Sequence, residues 1–264
     1  MLKQLAKTTI YTVFYIIRSL LKPILGFKEV VVLMYHSVDK NGWSLSVDPE
    51  VFERQMRFLN QNYQVVSLDK IIRYAKGEIS LPSKSVAITF DDGYLDNYLN
   101  AWPILKKYNL PATIFLITNE NRTRGPGCTF PLFYWKEAKE MINSGLISIE
   151  THTDSHPDDL KSLAPDQIKK EIIIAKQKIK NNLGVDSRIF AFPGGKYNQK
   201  IIDCLKEEGY IASFTTDEGL IKLGDDLFRL KRISAHRSVS FFAFKVRLTK
   251  AIDWYAKLKK ILIK

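Results

Sequence analysis

The run Ser85-Val86-Ala87-Ile88-Thr89-Phe90-Asp91-Asp92-Gly93 opens apolar and ends in two adjacent carboxylates and a glycine. Its first residues read as a buried strand that gives way to a loop. Successive strand side chains point to opposite faces, so only one carboxylate can continue the inward row while the chain stays extended. A turn at Gly93 lets both acids converge on one pocket. Two carboxylates that close repel each other unless a cation or a shared proton lies between them. Taken alone, the run also fits a strand ending in a polar turn, and the rest of the chain has to decide.

Outward from this run, short apolar segments alternate with helical ones. Upstream, Val30 to Val38 reads as a strand carrying His36 near its end. A helix starts at Asp48-Pro49-Glu50, with a cap and a first-turn proline, and runs through Phe52, Met56 and Leu59. Ser67 to Lys76 is helical again. Downstream, a helix over about 94–108 ends at Asn109-Leu110-Pro111, and Ala112 to Ile117 is the next strand. Residues 121–131 form a loop. A helix over Trp135–Asn143, a strand from Leu146 to Ile149 and a long helix from Asp166 to Asn182 follow. Then come a strand over Arg188–Phe192, a helix near Lys200–Glu208, a strand over Ile211–Thr215 and a last strand within Phe228–Ile233. The class is α/β, and six or seven such parallel units suggest a closed or nearly closed barrel. Active residues of such barrels gather at the C-terminal ends of the strands.

Two further constellations fall at strand ends. Glu150-Thr151-His152-Thr153-Asp154-Ser155-His156-Pro157 places two histidines three residues apart. If the backbone curls there, both can chelate one ion. Zinc suits histidine, and one carboxylate from elsewhere would complete a three-ligand site with an open fourth position. The acid pair needs a cation and the histidine pair needs a carboxylate. Pro193-Gly194-Gly195-Lys196-Tyr197 is the third piece, where glycines let backbone N–H groups approach an oxyanion. By itself it would be an ordinary turn. The chain has four histidines, at 36, 152, 156 and 236, and three of them lie at or just beyond expected strand ends.

These motifs resemble the polysaccharide deacetylase family (the NodB-homology domain, carbohydrate esterase family 4) over roughly residues 30–240. The resemblance rests on Thr89-Phe90-Asp91-Asp92-Gly93, on His152-Thr153-Asp154-Ser155-His156-Pro157 and on the Phe192-Pro193-Gly194-Gly195 turn. It implies a distorted (β/α)7 barrel and removal of acetyl groups, usually from N-acetyl sugars, with a divalent metal, most simply Zn2+. By position, Asp91 would be the general base and Asp92, His152 and His156 the metal ligands. The Gly194 N–H would help hold the oxyanion, with Pro193 and Gly195 shaping the turn and Tyr197 a weaker candidate beside it. Met34-Tyr35-His36-Ser37-Val38 looks like the early Tyr-His motif of the subgroup similar to poly-N-acetylglucosamine deacetylases, which makes His36 the general acid. His236, in a basic segment, is the weaker choice. Two departures stand out. Many members carry an arginine two residues before the motif's proline that tethers the catalytic aspartate, and here that position is Ala191. The residue after the proline is usually aromatic and here is Gly194. The expected function is a metal-dependent carbohydrate N-deacetylase acting on a polysaccharide or lipid-linked amino sugar. The alternatives are an O-deacetylase and a carbohydrate-binding barrel without activity.

Charge is distributed unevenly along the 264 residues. The chain carries a net +12, yet residues 1–28 hold five basic residues and no acid, and residues 245–264 hold seven basic residues and one acid. The body between them is nearly neutral. This divides the chain into a basic apolar segment (1–28), the barrel (29–240) and a basic amphipathic helix (241–264). Ile10, Val13, Phe14, Ile17, Leu21 and Ile24 fall on one helical face beside Lys3, Lys7, Arg18 and Lys22. Leu248, Ile252, Tyr255, Leu258 and Leu262 do the same near the end, opposite Lys250, Lys257, Lys260 and Lys264, with Trp254 beside them. Both stretches read as interfacial helices for an anionic membrane surface, bringing the barrel mouth near lipid-linked glycan. The expectation is a peripheral membrane protein, with the side of the membrane left open. The alternative is that both apolar faces pack on the body. Charge confined to amphipathic ends argues against a nucleic-acid partner. Arg18 interrupts the first stretch before it can span a bilayer. Cys128 and Cys204 have no metal-type spacing and give no disulfide framework.

Overall fold

The computed structural model describes residues 2–119 and 130–262, with side chains from residue 9 onward except at 259, 260 and 262. Most of the expected 121–131 loop, including Cys128, therefore lies outside the described residues. The chain enters through α1 (Leu2–Leu25). Next come β1 (Glu29–Tyr35), α2 (Pro49–Asn62), β2 (Gln64–Val65), α3 (Leu68–Lys76) and β3 (Lys84–Asp92). α4 (Trp102–Tyr108), β4 (Ala112–Leu116), α5 (Trp135–Asn143), β5 (Ile147–Thr151) and α6 (Pro165–Leu183) follow. The last third holds β6 (Ile189–Ala191), α7 (Gln199–Glu207), β7 (Ala212–Phe214), β8 (Ile233–Ser234), α8 (Phe241–Arg247) and α9 (Ala251–Leu262).

Seven strands form one parallel sheet in the order β7-β6-β5-β4-β3-β1-β8, and β2 adds to the flank of β3. The sheet curls until β7 meets the approach to β8, where Thr215 N–H donates to Leu230 O at 2.8 Å. This is a distorted (β/α)7 barrel, as the alternation of segments leads one to expect. Every residue of β1 is buried, which explains its unbroken apolar sequence: a parallel strand is covered on both faces. One face of the sheet packs on α2, α4 and α5 through residues such as Phe52, Met56, Leu105 and Met141. Val32, Ala87, Phe115, Ala191 and Phe214 pack together on the other side.

Three expected elements differ. The helix expected over 94–108 begins with a π-helical turn, Asn97–Ala101, before α4. The strand sought within 228–233 is a 3₁₀ turn over Leu227–Arg229, after which Leu230 makes a single bridge to Phe214 and the strand itself starts only at Ile233. β2 carries no strand signal of its own and is two residues long.

The terminal helices pack on the barrel and on each other. Leu248 and Ile252 are fully buried and belong to the same core as β1 and β3. Tyr11 is buried with its ring 4.7 Å from that of Tyr255, and Trp254 has Phe14 at 6.0 Å and Phe27 at 5.9 Å. Arg18 makes a buried two-bond pair with Glu29, the first residue of β1. The C-terminal face expected at lipid is therefore used internally. The N-terminal face is split: Phe14 turns to the body, while Val13, Ile17 and Ile24 stay exposed beside Ile16, Leu20 and Leu25. The helix has two apolar faces, one aromatic and one aliphatic, which a single-face reading merges. The side chains of Lys3, Lys7, Lys260, Leu262 and Lys264 lie outside the described set. No helix among the described residues is long and apolar enough to cross a membrane.

Candidate active site

Asp91 continues the row of Ala87 and Thr89 by the two-residue period of β3. Asp92 would fall on the opposite face, with Phe90, but its φ is 75°. A left-handed non-glycine residue costs on the order of 1–3 kcal/mol, and such strain gathers at functional sites. Gly93 follows at φ 85°, and a Cβ there would stand 2.4 Å from Leu116 Cδ1. The turn thus begins one residue earlier than the glycine suggests, and it brings Asp92 to the same end of the sheet.

The partner of Asp91 is Arg232, the residue before β8. Its Nη1 donates to Asp91 Oδ1 at 2.6 Å and its Nη2 to Oδ2 at 2.8 Å, with both side chains buried. Nε donates to Thr215 O at 3.1 Å, so the fork is held from behind. Burial would raise the Asp91 pKa, but the charge of Arg232, then that of His152, outweighs it and brings the carboxyl down to about 2. The tether missing at Ala191 is therefore supplied from another strand. Sequence reasoning passed over Arg232 as part of a basic segment. Arg229, Lys231 and Arg237 stand around it in the sequence, so nothing in the local pattern singled out Arg232 as the buried cation.

β5 ends at the histidine loop. Thr153 has φ 66° and His156 φ 51°, which is the curl the two-histidine spacing requires. The loop is fastened internally by His156 N–H donating to Thr153 Oγ1 at 2.9 Å. It is also fastened from α6, where Glu171 accepts from Asp154 N–H at 3.0 Å and from Ser155 N–H at 2.8 Å. His152 Nδ1 lies 2.8 Å from Ala191 O. A carbonyl accepts only, so Nδ1 carries the proton and Nε2 presents a lone pair. Asp92 Oδ1 stands 3.5 Å from His152 Nε2 and 3.6 Å from His156 Nε2. Ligand atoms of all three residues lie within 4.8 Å of one another, and all three side chains are buried. Tetrahedral ligands at about 2.0–2.1 Å from zinc stand roughly 3.3 Å apart, so the set fits a divalent ion.

The structure brings His36 to the same end. β1 and β3 pair in register with Tyr35 opposite Phe90, so His36 follows beside Asp91, and its charge also acts on that carboxyl. Asn97, in the π-helical turn, donates to His36 O at 2.8 Å, and Asp96 accepts from Val38 N–H at 2.9 Å and Ser37 Oγ at 2.7 Å. The ring of Trp43 packs edge-on to His36 at 6.0 Å. His236 lies just past β8, half-buried, with Nδ1 2.9 Å from Ser238 Oγ.

Pro193–Gly195 forms a 3₁₀ turn after β6. Gly195 and Lys196 give their N–H groups to Phe192 O and Pro193 O within the turn. Gly195 must be glycine, because a Cβ would come within 2.0 Å of Thr216 Oγ1. Gly194 is exposed, with nothing near the place of a Cβ. Tyr197 stacks on Phe192 at 4.8 Å and packs against the cluster under α6 and α7. Those contacts give it a packing role at the base of the turn.

Comparison with known proteins places this geometry. The family model described as polysaccharide deacetylase matches residues 78–213, which hold the acid pair, the histidine pair and the Pro193 turn. YxkH of Bacillus subtilis (strain 168), named for the polysaccharide deacetylases, is 35% identical over 217 residues, covering 82% of this chain and 75% of that one. The poly-beta-1,6-N-acetyl-D-glucosamine N-deacetylase of Staphylococcus epidermidis is 32% identical over 200 residues, covering 71% of this chain and 67% of that one. Among solved structures, IcaB from Ammonifex degensii superposes with a TM-score of 0.75 at 28% identity, covering 84% of this chain and 97% of that one. Barrel, paired motifs and relatives agree, and the chain belongs to the polysaccharide deacetylase family.

Proposed function

We propose that the protein is a divalent-metal-dependent carbohydrate N-deacetylase that hydrolyses the N-acetyl group of an amino-sugar polymer, with poly-N-acetylglucosamine the nearest model. The observation that carries this reading is the meeting of two units at one end of the barrel: Asp91 held by Arg232, and the buried set of Asp92, His152 and His156. A divalent ion on that set, with zinc the best match to two imidazoles and a carboxylate, would supply Lewis-acid activation of the acetamide carbonyl and of water.

The chain's own groups account for the proton movements. Asp91, charged at neutral pH, takes a proton from the attacking water while the hydroxyl adds to the acyl carbon. The Gly194 N–H is the group of this turn that would hold the developing oxyanion, since Pro193 has no N–H and those of Gly195 and Lys196 are spent inside the turn. His36 gives a proton to the departing nitrogen as the C–N bond breaks, leaving acetate and a free amine. The wild-type protein with zinc should remove acetyl groups from N-acetylglucosamine oligomers, read as the mass lost per sugar, and Asp91→Asn should lower turnover about 10²–10⁴-fold. Metal analysis of His152→Ala/His156→Ala protein should show the ion gone. Retained metal in that variant, or turnover in Asp91→Asn within tenfold of wild type, would remove these residues from their roles.

A further inference from the structure

The loop between β1 and α2 carries an indole up to the histidine assigned as general acid. Trp43 is half-buried, and its ring centroid lies 6.0 Å from that of His36, with the two planes at 89°. Tyr94, which is buried, and Phe130 meet the same indole at 5.5 and 5.6 Å, at 72° and 48°. Edge-on and tilted contacts of this kind hold a ring in its plane. The loop is fastened by its own polar groups. Trp43 N–H donates to Asn41 Oδ1 at 3.0 Å, and Ser46 N–H donates to Trp43 O at 3.1 Å. Ser46 Oγ donates to Asn41 Oδ1 at 2.7 Å, and Val47 N–H to Ser37 O at 2.9 Å. Gly42, at φ 83°, makes the turn that leads into Trp43. An aromatic side chain presented on such a loop meets a ligand at little cost in ordering.

The chemistry says what lies beside His36. In the hydrolysis of a sugar acetamide the departing group is the amine borne by the sugar, and a proton donor has to come within about 2.6–3.2 Å of that nitrogen. A single C–N bond of about 1.45 Å joins the nitrogen to the pyranose. With His36 as the donor, the pyranose therefore stands within a few ångströms of the imidazole, on the same scale as the separation of His36 from Trp43. A pyranose carries hydroxyls at its rim and C–H groups on its faces, and an indole can cover such a face while the hydroxyls stay in water. We infer that Trp43 is the sugar-recognising residue of the reacting subsite: its indole packs on the pyranose whose acetamide is hydrolysed, and so favours amides borne on a sugar ring over those of open-chain amines. This rests on the hydrolytic reading and adds to it the group that recognises the leaving amine. Trp43 handles no proton, so its contribution is to binding.

The test sets two amides against the zinc-loaded full chain: an N-acetylglucosamine oligomer, and N-acetylethanolamine, which offers the same acetamide on an amine without a ring. Acetate released measures both. Trp43→Ala should lower kcat/KM for the oligomer at least tenfold, chiefly through KM, because packing on the sugar is made alike before and during the reaction. For N-acetylethanolamine the same variant should stay within threefold of wild type. Trp43→Phe keeps a ring and should recover most of the oligomer activity. A second readout needs no turnover. In zinc-loaded Asp91→Asn protein the oligomer should shift the tryptophan emission, and adding Trp43→Phe should abolish the shift although Trp102, Trp135 and Trp254 remain. Equal losses on both amides in Trp43→Ala would show that the indole only supports His36 or the loop, and would overturn the inference. An unchanged oligomer KM in that variant, with wild-type protein active, would overturn it while leaving the hydrolytic reading intact. Wild-type protein that cleaves neither amide, yet shows the Trp43-dependent shift, would keep the sugar contact and remove the hydrolysis.

Discussion

Asp91 and Arg232 meet through two hydrogen bonds, and the pair governs how the carboxylate titrates. Arg232→Met removes the positive charge, so Asp91 should titrate higher and the acid limb of the kcat/KM profile should move to higher pH. Arg232→Lys keeps the charge but loses the fork, so the limb should stay near its place while the rate falls. We expect Arg232→Met also to cost about 3–5 kcal/mol of stability, the usual result of leaving a buried charge unpaired. Urea unfolding reads this directly, and an unchanged midpoint would deny the pair a structural role. His36→Ala should lower turnover far more than His236→Ala, since His36 lies beside Asp91 whereas His236 is engaged by Ser238. The opposite ranking in steady-state rates would move the acid to His236. The meeting of Asp92 with His152 and His156 was legible in the sequence because each half of the set is local. The tether was not, because Asp91 and Arg232 are 141 residues apart and Ala191 draws attention to the wrong strand.

Elements explain why the site residues hold their places. The histidine loop is fastened by α6 through Glu171, which takes two backbone N–H groups and the Ser155 hydroxyl. Glu171→Ala should lower metal affinity about 10–100-fold, the usual scale for groups that orient ligands. Competition with a chromophoric chelator measures this, and unchanged affinity would mean that the loop holds itself. The π-helical turn does the same for His36. Asn97→Leu removes the donor to the His36 carbonyl and should lower kcat more than it raises KM, with no loss of bound metal. Metal loss from that variant would show general unfolding of the strand ends instead. Helix α5 was legible to the residue because Trp135 to Asn143 keeps one periodicity. The turn at Asn97–Ala101 was not, because an inserted residue in a helix leaves the composition helical. β8 escaped for a related reason: two residues are too few to show a period of two.

At the scale of the molecule, the termini are parts of the core. Phe244, Val246, Leu248 and Ile252 are buried with residues of β1 and β3, so a 29–240 fragment should be insoluble or molten, seen as loss of near-UV circular dichroism. Among the described residues, Arg18→Met leaves the buried Glu29 carboxylate with the Lys250 N–H at 3.1 Å as its remaining hydrogen bond. It should cost about 3–5 kcal/mol, measured by urea unfolding of the full chain. The sequence pattern showed that both ends are amphipathic. It could not show which apolar residues meet aromatic partners from the other end of the chain, since Tyr11 and Tyr255 become neighbours only when the barrel closes. The distance between Asp91 and Arg232 also has a meaning in time. At roughly 5–20 residues per second, a ribosome makes Arg232 about 7–28 s after Asp91. Throughout that interval the carboxylate has no guanidinium, and burying it alone would be costly. The end of the third strand therefore cannot settle into its finished form on the ribosome ahead of the last strand. The half of the chain that carries the recognisable motifs has to wait for the half that does not.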